Sequence, residues 1–118
     1  MKDTSMKAII DGLRYDTEKA YKLGEVRGNA HTPDTGDESA FEWNEALWMT
    51  PGGRFFLLGE GTAKTRWYRQ APPENRREEG GRELAWAIRA IPEDQAQAWV
   101  EKYCTADVYE QLWDAEDA

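Results

Sequence analysis

Few side chains in this chain have reactive potential. His31 is the only histidine, so a histidine-dependent triad or a multi-histidine metal site cannot be assembled within one copy. It sits in a polar stretch and reads as a solvated loop residue. The single Cys104 lies among aromatic residues with no histidine beside it, the setting of a buried structural thiol rather than of a nucleophile. Gly59-Glu60-Gly61-Thr62-Ala63-Lys64-Thr65 invites comparison with a phosphate-binding loop. That motif needs a glycine directly before the lysine and another five residues earlier, and those positions hold Ala63 and Leu58. The stretch therefore reads as a tight turn leaving a strand. Glu42, Glu45 and Glu60 are the carboxylates nearest to forming an acid–base pair, but solvated strand positions account for them. No catalytic residue, metal ligand or cofactor site is expected, and the reading is of a protein that is not an enzyme.

Recognition chemistry is better represented. Arg66, Trp67, Tyr68 and Arg69, with Arg76 and Arg77, combine cations and stacking surfaces, the ingredients of single-strand nucleic-acid binding. Glu74, Glu78, Glu79 and Glu83 neutralise most of that charge, so direct nucleic-acid contact is not expected. The net charge of −8 is concentrated elsewhere: from Glu93 onward eight acids face Lys102 alone, leaving about −1 for the first 92 residues. Glu93, Asp94 and Glu101, then Asp107, Glu110 and Asp114, are the candidate contacts of an acidic face that docks on a basic partner. Trp67 and Tyr68 are added as candidate exposed aromatics. The alternative for the acids is a solvated surface that aids solubility.

The elements that must position these residues follow from spacing and turn chemistry. Lys7–Asp11 reads as a short strand, and Asp16 as the cap of an N-terminal helix with Glu18 in its first turn and Ala20 and Leu23 inward. Residues 25–39 hold little to bury and read as a long flexible loop. Phe41–Gly61 is the centre of the fold: two apolar runs joined by Thr50-Pro51-Gly52-Gly53, a hairpin whose turn ends in a left-handed glycine. Phe41, Trp43, Leu47 and Met49 alternate with polar neighbours at period two, with an apparent break at Glu45 and Ala46. Thr65–Arg69 is expected as a further strand, residues 70–83 as a second flexible loop, and Leu84–Ile91 as a strand in preference to a helix. Pro92 opens a helix carrying Ala96, Trp99, Val100 and Tyr103 at i, i+3, i+4 and i+7. Thr105 caps a second, with Cys104 and Tyr109 as a staple across the cap. The expectation is one α+β domain over residues 1–118, with an antiparallel sheet of three to five strands on a central hairpin, one N-terminal helix, and two short C-terminal helices packed on one face.

Six tryptophans, five tyrosines and three phenylalanines supply enough apolar area for a folded core despite the polar composition. One cysteine and no apolar run after the first lysines point to the cytoplasm, and no stretch approaches a membrane span.

Ile9-Ile10-Asp11-Gly12-Leu13-Arg14-Tyr15-Asp16-Thr17-Glu18-Lys19-Ala20, Glu45-Ala46-Leu47-Trp48, Gly53-Arg54-Phe55-Phe56-Leu57-Leu58-Gly59-Glu60-Gly61 and Pro92-Glu93-Asp94-Gln95-Ala96 together resemble small accessory proteins of bacterial phages and conjugative elements. The resemblance implies an anti-CRISPR-like or other anti-defence inhibitor in the host cytoplasm, binding a host protein or nucleoprotein complex with a basic surface. A second expectation is a self-associating structural or regulatory module of a mobile element, a homodimer formed through exposed aromatics such as Trp67 and Tyr68.

Overall fold

The computed structural model describes residues 6–28, 43–63 and 65–118. His31, Phe41, Glu42, Lys64 and the 29–39 part of the expected loop lie outside them. The fold is α+β; the described residues form a two-stranded ribbon, a five-stranded antiparallel sheet and three helices. The ribbon pairs β1 (Lys7–Ile10) with β2 (Leu13–Asp16). The sheet contains β3 (Tyr21–Gly28), β4 (Trp43–Met49), β5 (Phe55–Thr62), β6 (Arg76–Glu79) and β7 (Arg82–Ile91), in the order β3-β4-β5-β7-β6. The helices are α1 (Arg66–Gln70), α2 (Glu93–Tyr103) and α3 (Ala106–Glu110).

The Phe41–Gly61 hairpin forms the sheet's centre as β4 and β5. Its turn closes through Gly53 N–H to Thr50 O at 2.9 Å and Thr50 N–H to Arg54 O at 2.8 Å, with Gly53 at φ +84°. The break in alternation does not exist. Trp43, Glu45, Leu47 and Met49 share one face, so Glu45 points inward and is 4% exposed, where a solvated strand position was expected.

The N-terminal helix is replaced by strands. Asp11 and Gly12, at φ +52° and +78°, make the two-residue turn whose twist matches an antiparallel ribbon, so the chain returns as β2. Asp16 does accept from a backbone N–H two residues on, Glu18 N–H to Oδ1 at 3.0 Å, but this closes a single turn before β3 begins. Residues 25–28, expected in a loop, belong to β3. The 70–83 segment is not a structureless loop: a short 3₁₀ turn at Pro73–Asn75 leads into β6, and Gly80-Gly81, both at positive φ, turns the chain into β7. The prolines and charges keep it exposed while the glycine pair makes a hairpin.

Thr65–Arg69 is helical, not a strand. Gly59 and Gly61 leave a bare strip on β5, and α1 lies on it: a Cβ at Gly59 would overlap the Trp67 indole and one at Gly61 the Thr65 side chain. The main core is built on this face from Leu47, Phe55, Leu57, Ala87 and Ile91 against Trp67, Ala96, Trp99 and Val100. Each large side chain buried there contributes about 1.5–3 kcal/mol. On the opposite face Tyr15 of the ribbon meets Phe56 edge-on at 5.5 Å. Arg77 of β6 reaches across β7 to Glu60 at 2.7 Å; this hydrogen bond raises the guanidinium pKa above its ordinary value against partial desolvation.

Candidate functional site: an acidic cleft

The acidic C-terminal segment folds into a reversal. Pro92 precedes α2, Glu93 and Asp94 occupy the first turn and Lys102 the last, each sign favourable to the helix dipole. Ala96, Trp99 and Val100 face the sheet and are buried, as the i, i+3, i+4 spacing predicts. The helix ends at Cys104, and Thr105 Oγ1 accepts from Val108 N–H at 3.4 Å to start α3. Beyond α3, Trp113 packs on Tyr109 and Phe55 with ring centroids 5.1 and 5.6 Å apart. Its indole N–H donates to Glu93 Oε2 at 3.0 Å.

This reversal encloses a cleft of about 640 Å³ between α2, α3 and the residues that follow. Val100, Cys104 and Tyr109 form its buried and half-buried floor, and the exposed carboxylates of Glu101, Glu110, Asp114 and Glu116 line its rim. Among the described residues no lysine or arginine lines it. An apolar floor under four carboxylates suits a lysine or arginine side chain, whose aliphatic stem packs on the floor while its charge meets the rim. Burial raises the pKa of the Cys104 thiol above its ordinary value, a direction that favours the protonated form.

Of the acids expected to bind a partner, Glu101, Glu110 and Asp114 are brought together here. Asp107 and Asp94 are exposed but do not line the cleft, and Glu93 is engaged by Trp113. Glu116, not singled out beforehand, completes the rim; its signal was the same acidic bias of the C-terminal segment. Trp67 is corrected outright. It is 1% exposed, lies on Gly59 and donates its N–H to Glu45 Oε2 at 3.2 Å, so it belongs to the core and offers no surface. Tyr68 is half-buried, with its hydroxyl donating to Glu83 at 3.2 Å and the Arg76 guanidinium 4.8 Å above its ring.

The basic cluster around α1 is likewise occupied by its own chain. Arg66 pairs with Glu45 at 2.7 Å, and Arg77 with Glu60 and Glu79. Sequence reasoning missed the role of Glu45, which also accepts the Trp99 indole N–H at 2.9 Å; strict period two through β4 was the signal that placed it inward. Among the described residues no group of three or more histidine, cysteine or acidic side chains is placed to hold a metal ion, and no helix is long and apolar enough to cross a membrane.

No protein-family model, curated protein or solved structure matches this chain.

Proposed function

We propose that this chain is a binding protein, not a catalyst, that seats a basic segment of a partner protein in the cleft between α2 and α3. The observation that carries the reading is the cleft itself, four carboxylates over an apolar floor with no basic side chain among the described residues that line it. Its setting, following the resemblance to phage and conjugative-element accessory proteins, is the cytoplasm of a host cell. There the partner is a defence nuclease complex whose nucleic-acid groove is basic, and occupying that groove inhibits it. Complementary charge gives fast, salt-sensitive encounter, and the apolar floor adds contact that salt does not screen.

The test is binding of a labelled oligo-arginine peptide, and then of any partner captured from host cells, followed by fluorescence anisotropy across a salt series. Reversing Glu101, Glu110, Asp114 and Glu116 to lysine should weaken binding by about a hundredfold. Reversing an equal number of exposed acids outside the cleft, Glu74, Asp94, Asp107 and Asp117, should have a much smaller effect. Equal losses from the two sets would reduce the site to net charge alone and defeat the cleft reading.

A further inference from the structure

The two edges of the five-stranded sheet are built differently. β6 is blunted in the manner of a protected edge, four residues long with every side chain charged and exposed. β3 is eight residues long, pairs with β4 on one side, and has no strand on its other side among the described residues.

Two of the four large apolar side chains left exposed among the described residues accompany this edge. Tyr21, 60% exposed, opens β3, and Tyr103, 38% exposed, closes α2. α2 lies over β3 closely enough that a Cβ at Gly24 would come 2.6 Å from Cys104 Sγ and 3.2 Å from the Trp99 ring. The Tyr103 ring packs 5.0 Å from that same Trp99.

The sequence of the strand beyond its bulge at Lys22/Gly24 is self-complementary. Residues 25–27 read Glu-Val-Arg. Two β3 strands paired antiparallel about an axis through Val26 set Glu25 of each copy opposite Arg27 of the other. Both pairs fall on the sheet face away from the helices, since Glu25 and Arg27 pair with Ala46 and Asn44 of β4. Moving the two-fold axis by one residue, to Glu25 or to Arg27, changes the antiparallel sum by two and sets Glu25 against Glu25 or Arg27 against Arg27. Charge therefore selects a single register. Each side chain already interacts within its own chain, Glu25 with Lys22 at 2.6 Å and Arg27 with another group, so the cross-strand contacts are shared.

We propose that β3 is a self-association edge on which a second copy of this chain adds antiparallel over Gly24–Gly28, joining the two sheets into one. The proposal is independent of the cleft, which these residues do not line.

Sedimentation velocity from low-micromolar to near-millimolar concentration tests it. The wild-type chain should show a concentration-dependent dimer. Glu25→Arg and Arg27→Glu should each weaken it about tenfold, because both attractive pairs become repulsive. The double exchange E25R/R27E should restore the dimer to within about twofold, because the pairs are re-formed with their signs exchanged. Both positions are exposed, and recovery in the double variant separates lost pairing from lost folding. A monomer at every concentration, a dimer indifferent to both single reversals, or a double variant no better than either single one would overturn the proposal. Oligo-arginine binding should stay unchanged in all three variants, which keeps this surface distinct from the cleft.

Discussion

Glu45 ties three parts of the molecule together through one carboxylate. Oε2 accepts from Arg66 Nη2 at 2.7 Å and from Trp67 Nε1 at 3.2 Å, and Oε1 accepts from Trp99 Nε1 at 2.9 Å. Burial of a charge is costly unless it is paired and hydrogen-bonded, and here two indoles and a guanidinium offset that cost. Glu45→Ala leaves both indole N–H groups unpaired in the core and should destabilise the fold by roughly 3–4 kcal/mol. Glu45→Gln keeps one acceptor oxygen but aims an amide donor at other donors, and should cost roughly 1–2 kcal/mol. Urea unfolding midpoints check the order; an alanine variant as stable as the glutamine variant would show that the indoles are not held by this acceptor. The residue types were all legible in the chain. Their convergence was not, because Glu45 and Trp99 are 54 positions apart and nothing local to either announces the other.

At the scale of elements, the five-residue α1 is too short to persist by propensity. It is held by its cap and by Trp67. Thr65 Oγ1 accepts from Tyr68 N–H at 3.3 Å and donates to Thr62 O at 2.8 Å, and Thr65 is buried. Thr65→Ala should therefore cost about 1–2 kcal/mol, against about 0.5 kcal/mol for Thr105→Ala at the exposed cap of α3. Paired thermal melts measure the difference, and equal losses would mean that burial of the first cap adds nothing. Aromatic residues flanked by cations made this segment look like a strand; the glycine strip on β5 that receives it lies on another element. The Asp11-Gly12 turn, by contrast, was a local signal for a hairpin. Reading Asp16 as a helix cap obscured it, since an acceptor two residues before a backbone N–H begins a single turn as readily as a helix.

For the whole molecule, the main core lies between the sheet and its helices, while β1 and β2 form a separate two-stranded ribbon, and such ribbons are marginal by themselves. Amide hydrogen exchange should be slowest in β5, which is central and paired on both sides, and fastest by local opening in β1, β2 and β6. Ribbon amides as protected as those of β5 would show that the contact of Tyr15 with Phe56 couples the two sheets fully. The central hairpin and its Pro-Gly-Gly turn, the strand before Pro92, the helix periodicity after it and the segregation of acids at the C-terminal end were determined by the sequence itself. Turn stereochemistry, apolar period and charge all act within a few residues. Tertiary structure alone decided the convergence of Arg66, Trp67 and Trp99 on Glu45, the helix at Arg66–Gln70, the unlike edges of the sheet, and the folding of Trp113 onto Phe55 that turns an acidic stretch into a cleft. Each of those depends on which surfaces meet, and that is settled by packing between segments far apart in the chain.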